Sequence, residues 1–114
     1  MSFRTEGRLD REAVQERVNE AIAGDEVVLF MKGNELMPQC GYSERALRLV
    51  ARHRDEYATV DVLESLREYR DALETHSGWR TVPQTYVDGE FVGGTDVLSE
   101  LDDDGELAGT LAAD

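Results

Sequence analysis

Val27 to Ser43, VVLFMKGNELMPQCGYS, is the stretch on which the fold turns. Val27 to Met31 is a continuous apolar run, rich in strand formers and too short to stand alone as a helix, so it predicts a buried central strand. Lys32-Gly33-Asn34 breaks the run, and a loop carries the chain past Pro38 to Cys40, the only cysteine. From Gly41 to about His53, the spacing of Ala46, Leu47 and Val50 predicts a helix. The thiol therefore falls where a strand hands over to a helix start.

Upstream, Asp10 is placed to cap a helix reaching about Ala23, with Val14, Val18, Ala21 and Ile22 on one stripe and Gly24 at its end. Downstream, Ala58 to Val62 alternates as a strand does, and Leu66, Tyr69 and Leu73 mark a helix that Gly78 stops. Gln84 to Val87 and Glu90 to Val92, joined by Asp88-Gly89, read as a hairpin, because Asp-Gly supplies the left-handed conformations of a tight turn. Asp96 is a candidate cap for a helix through Val97, Leu98 and Leu101, and a short segment with Leu107 and Leu111 follows. The order helix, strand, helix, strand, helix, hairpin, helix predicts an α/β domain with a mixed four-stranded sheet and helices on both faces.

A chain of 114 residues fits one domain, 1–114 with its core at about 10–110, large enough to bury a core without staples. One cysteine excludes an internal disulfide and a cysteine-rich zinc site. The opening MSFRTEGRLD mixes charge signs, and nowhere do 18 apolar residues occur together. A soluble cytoplasmic protein without a membrane segment is expected. Acidic residues number 25 and basic residues 12, a formal charge of −13 that argues against nucleic acid as a partner. Lys32 is the only lysine among those bases. An acid-rich, lysine-poor surface is expected of a protein adapted to high salt, where screening relieves self-repulsion.

At a helix start, free amides and the positive end of the dipole favour a thiolate at Cys40, whereas a lone cysteine elsewhere commonly serves as a small apolar core residue. The polar neighbours Gln39 and Ser43 favour the reactive reading. Ser43 stands where a dithiol oxidoreductase would have its second cysteine, so any redox cycle needs an outside thiol. Val82-Pro83 suits pairing with an extended thiol peptide if the bond is cis, and an ordinary edge strand if it is trans. Gly93-Gly94-Thr95-Asp96 leads into a helix start whose amides suit a carboxylate, with Asp96 available to an amine, or is simply a turn and cap. Arg70 lies between Leu66 and Leu73 and is expected to reach a carboxylate, internal or from a ligand. Lys32, eight positions before Cys40, could bind a carboxylate or hold the thiolate. His53 and His76 lack metal-ligand spacing, and Trp79 and Tyr42 are candidates for shaping the site.

MKGNELMPQCGYS followed by GWRTVPQTYVDGEFVGGTD resembles the monothiol glutaredoxins of the Cys-Gly-Phe-Ser type, in register over roughly residues 10 to 110. The resemblance implies a thioredoxin-like fold, a cis Pro83, and Cys40 as reactive thiol and cluster ligand. It also implies a glutathione site in which Lys32 and Arg70 hold the glycyl carboxylate, Val82 pairs with the cysteinyl backbone, and Thr95 and Asp96 take the γ-glutamyl end. Tyr42, Pro83 and Gly94 belong to the same expected surface. Such proteins bind a [2Fe–2S] cluster between two protomers, each giving one protein thiolate and one glutathione thiolate, which meets the cluster's need for four. The implied role is iron–sulfur cluster delivery to acceptor proteins, as a homodimer with cluster and a monomer without, and with weak or absent thiol-disulfide oxidoreductase activity. The alternatives are a monothiol oxidoreductase acting on mixed disulfides through Cys40 and a docking module that leaves the thiol idle. Tyr42 replaces the motif's phenylalanine, Arg80 stands at a usual proline and adds charge near the thiol, and Thr95 replaces a frequent cysteine. These departures leave open whether glutathione or another γ-glutamyl thiol is the ligand.

The charge pattern yields the first prediction. Unfolding followed against KCl should show stability rising into the molar range, and a flat response would remove the salt-adaptation reading.

Overall fold

Asp10 opens the first helix, α1 (Arg11–Gly24), its side chain accepting from the Ala13 N–H at 2.8 Å and so pairing one of the amides that a helix start leaves free. The computed structural model describes residues 9–112. Val14, Val18 and Ile22 face the core from α1, while Ala21 is half-buried. The next elements are β1 (Val27–Met31), α2 (Gly41–His53) and β2 (Ala58–Asp61). A single 3-10 turn at Leu63–Ser65, absent from the sequence reading, leads into α3 (Leu66–Ser77). Gly78 stops α3 at φ 79°, donating its N–H to the Glu74 carbonyl at 2.8 Å. Then come β3 (Gln84–Val87), β4 (Glu90–Gly93), α4 (Thr95–Asp103) and the short α5 (Leu107–Leu111). Asp88 and Gly89, at φ 51° and 83°, make the expected hairpin turn.

The strands form one mixed sheet in the order β2-β1-β3-β4, with β1 parallel to β2 and antiparallel to β3, and β3 antiparallel to β4. All five residues of β1 are buried. Val28 and Phe30 join the core under α1 and α3, while Val27, Leu29 and Met31 join the one under α2, α4 and α5. Covering on both faces explains why this strand reads as a solid apolar run instead of an alternation. Each such side chain contributes about 1.5–3 kcal/mol on burial. The architecture thus has the predicted helices on both faces, and its parallel β1–β2 pair directs the ends of both strands toward the same edge, where α2 begins.

One boundary differs. Asp96 does not cap α4; Gly94 holds that position without a side-chain cap bond, and Asp96 lies inside the first turn. The cause is a register shift at Thr85/Tyr86, which lets β4 run on to Gly93 and straight into the helix. Gly93 sits at φ 150°, and a Cβ there would lie 2.6 Å from the Val97 Cβ, so only glycine permits this tight entry.

Asp10→Ala should lower stability by about 1 kcal/mol through loss of the cap. Thermal unfolding should then show Tm falling by roughly 4–8 °C. An unchanged Tm would show that the Ala13 bond contributes nothing.

Candidate functional site

Where β1 ends, the chain builds a tight loop before the thiol. Gly33 pairs with Pro38 in an isolated bridge, and at φ 90° a Cβ on Gly33 would come within 2.4 Å of the Met37 carbonyl oxygen. The Asn34 side chain accepts from the N–H groups of Leu36 and Met37 at 2.9 Å each, and Gln39 donates its N–H to the Lys32 carbonyl at 2.9 Å. Asp61 at the end of β2 accepts from Gly33 at 3.0 Å and from Leu63 at 3.0 Å, fixing the loop to the sheet. The Lys32 N–H donates to the Ser43 hydroxyl at 3.0 Å, locking the strand end to the first turn of α2.

That joint sets the position of Cys40, which occupies the N-cap position of α2 in extended conformation and is half-buried. Its thiol lies below the ordinary thiol pKa. The main cause is the Ser43 backbone N–H donating to the sulfur, opposed by burial and aided by the Tyr42 N–H, the Lys32 charge and the Ser43 side chain. Arg80, expected to add charge near the thiol, is instead paired with Asp71 at 2.7 Å and Glu74 at 3.1 Å. Two carboxylates on α3 within reach of its long side chain outcompete the thiol for it.

A cleft of about 380 Å³ opens next to the start of α2, where Tyr42 forms part of its wall. Its lining gathers six of the expected residues, Tyr42, Val82, Pro83, Gly94, Thr95 and Asp96, from segments far apart in sequence. The Val82–Pro83 bond is cis. Gly94 lets the start of α4 approach this bond closely, since a Cβ there would stand 3.1 Å from the Pro83 carbonyl oxygen. Thr95 is buried and donates its hydroxyl to the Tyr42 carbonyl at 2.7 Å, tying the starts of α4 and α2 together. Asp96 stands exposed at the rim.

Lys32, Cys40 and Arg70 do not line the cleft. Lys32 joins the site through its charge on Cys40. Arg70 is half-buried on α3 and, among the described residues, makes no ion pair, so the internal carboxylate open to it from sequence does not materialise. Of the histidines, His53 pairs with Asp102 at 2.6 Å and His76 with Asn19 at 2.7 Å, both outside the cleft.

Thr81, which the sequence grouped with Val82 and Pro83 as a candidate partner site, also lines the cleft, whereas Phe91 and Val97 were missed as lining residues. Phe91 carries Trp79 at a ring-centroid separation of 6.2 Å, a contact between hairpin and loop that no local pattern announces. Ser43 was read as a polar neighbour of the thiol and as a missing cysteine, yet it is also fully buried and accepts the bond that fixes the loop.

With this geometry in place, comparison with known proteins is informative. The glutaredoxin family model matches residues 27–92. The uncharacterized monothiol glutaredoxin ycf64 of Porphyra purpurea is 42% identical over 90 residues, covering 79% of this chain and 83% of that one. Among solved structures, reduced poplar apo GrxS14 is 35% identical with a TM-score of 0.73, over 86% of this chain and 89% of that one. The buckwheat glutaredoxin–glutathione complex is 25% identical with a TM-score of 0.74, over 89% of each chain.

The electrostatics of Cys40 can be read by alkylation with iodoacetamide against pH. The reactivity midpoint should fall below that of the denatured chain, whose thiol has the ordinary pKa of about 8.5. A depressed thiol pKa contributes stability above the unfolded value, and that contribution is lost as pH falls through the folded one. Lys32→Gln should move the midpoint up, and an unmoved midpoint would remove Lys32 from the thiol's surroundings.

Proposed function

The chain belongs to the glutaredoxin family, in its monothiol branch, and on that premise we propose that it carries a [2Fe–2S] cluster as cargo, shared between two protomers and delivered to acceptor proteins. The observation that supports this most is Cys40: a thiol held toward its thiolate two residues before Tyr42, which lines a preformed cleft, with no second cysteine in the chain. Among the described residues no group of three or more His, Cys, Asp or Glu side chains could hold a metal ion. One chain therefore offers one thiolate, so three of a four-thiolate cluster's ligands must come from outside it, and in this reading a second chain and two small thiols supply them.

In this reading Cys40 is the protein ligand, and glutathione or another γ-glutamyl thiol lies along the cleft. Val82 offers its backbone beside the cis bond, Thr95 and Asp96 receive the γ-glutamyl end at the start of α4, and Lys32 and Arg70 meet the far carboxylate. Tyr42, Pro83 and Gly94 shape the walls. A relative of similar fold is described as a complex with glutathione, which supports a tripeptide thiol as the ligand class. The exposed apolar side chains support contact with a second protein surface. Leu36, Met37, Tyr42, Leu63, Trp79 and Val97 all lie on segments at the edge where β1 and β2 end and β3 begins.

The lowered thiol pKa also favours a second reading, thiol–disulfide exchange. The Cys40 thiolate attacks the glutathionyl sulfur of a mixed disulfide, releases the other sulfur as a thiolate, and is itself freed by attack of a second glutathione thiolate, which leaves as glutathione disulfide.

Anaerobic reconstitution with ferrous iron, sulfide and glutathione separates the two. Cluster absorption together with dimerisation, both abolished by Cys40→Ser, is the expected result. A monomer that stays colourless while reducing mixed disulfides briskly would give the assignment to exchange.

A further inference from the structure

The wall of the cleft between α3 and β3, residues 79–82, carries Trp79, Thr81 and Val82, yet among the described residues no backbone-to-backbone hydrogen bond reaches it. It is held from inside by a side chain. Gln84, 1% exposed, donates from its amide nitrogen to the Trp79 carbonyl at 2.8 Å and to the Thr81 carbonyl at 2.9 Å. Its amide oxygen accepts from the Tyr86 hydroxyl at 2.8 Å, and Tyr86 is itself 1% exposed. Both donors and the acceptor are thus engaged, and the orientation is fixed, because a flipped amide would set its oxygen against two carbonyls. The lesser anchors lie nearer α3: Ser77 bonds to the N–H and carbonyl of Trp79, and Arg80 pairs with Asp71 and Glu74.

The consequence falls on Val82. Gln84 turns the carbonyls of residues 79 and 81 inward, and Val82, between Thr81 and the cis bond, lines the cleft. Gln84 itself does not line it. We propose that Gln84 is a positioning residue for the small thiol, its buried amide holding the 79–82 wall so that Val82 presents its backbone to the ligand. This inference rests on the reading that a γ-glutamyl thiol occupies the cleft.

The test is the exchange equilibrium between Cys40 and glutathione disulfide. The Cys40 thiolate attacks one sulfur, the S–S bond breaks, one glutathione thiolate leaves, and the ratio of glutathionylated to free protein is read by mass. Gln84→Met should lower this constant about tenfold or more, with the rate of Cys40 alkylation by iodoacetamide unchanged, since the thiol is set by α2. Tyr86→Phe is the control: it leaves the Gln84 oxygen without its donor and should lower Tm while keeping the exchange constant within about twofold, because both wall contacts remain. Gln84→Asn, one methylene shorter, replaces the methionine variant if that does not fold, with the same criterion. A constant that follows Tm equally in both positions, or that Gln84 variants leave unchanged, would overturn the proposal. Trp79, the only tryptophan, gives a readout independent of glutathione: its emission should shift to the red and its anisotropy fall in the Gln84 variants but not in Tyr86→Phe. If the wild type takes up no glutathione while Trp79 responds in this way, the ligand assignment fails and the wall-holding role of Gln84 stands. If Trp79 does not respond, that role falls as well.

Discussion

The hydrogen bond from the Lys32 N–H to the buried Ser43 hydroxyl is the constraint on which the site depends. It joins the backbone amide just after the end of β1 to the first turn of α2, so Cys40 is placed between two rigid elements although it lies at the end of a loop. The same serine supplies the backbone N–H that does most to favour the thiolate. A cysteine at position 43 would bring a second thiol but a weak hydrogen-bond acceptor in place of a hydroxyl. Monothiol chemistry and the anchoring of the loop are therefore two consequences of one residue.

The fold was legible where one short segment contains its own cause. The two-sided burial of β1, the apolar face of α2, the left-handed stop at Gly78 and the Asp88-Gly89 turn all act over a few residues, and each stands where the sequence places it. The cap of α4 was misassigned because the register shift between β3 and β4 brings the helix forward to Gly94. A shift of that kind is a relation between two strands, which neither strand's sequence displays. The family resemblance supplied the cis bond at Pro83, which the residues alone left open. The cleft was legible only in part for the same reason as the cap. Tyr42, Trp79, Phe91 and Val97 meet only after the sheet has formed, and Gln84 looks like one more strand residue until its amide is found under the neighbouring wall.

The cations give a last step. Five of the nine described arginines lie opposite acids: Arg11 and Arg80 with Asp71, Arg48 with Glu44, Arg52 with Asp102, and Arg54 with Glu26. Such surface pairs add little to stability, and their cations are taken up by carboxylates of residues that do not line the cleft. Lys32 and Arg70 are different, for they are half-buried and have no ion pair among the described residues, whereas the unpaired Arg17 and Arg67 are exposed to water. Lys32 has the Cys40 thiolate as its neighbour of opposite sign, whose formation its charge favours, while a protein with 25 acidic residues sets none of them in an ion pair with Arg70 among the described residues. In the reading proposed above, the carboxylate of the small thiol is the partner that Lys32 and Arg70 receive. On that reading the charge excess of the whole molecule sharpens the site, because an anionic small thiol repelled by the general surface would meet a favourable field only where Lys32 acts on Cys40.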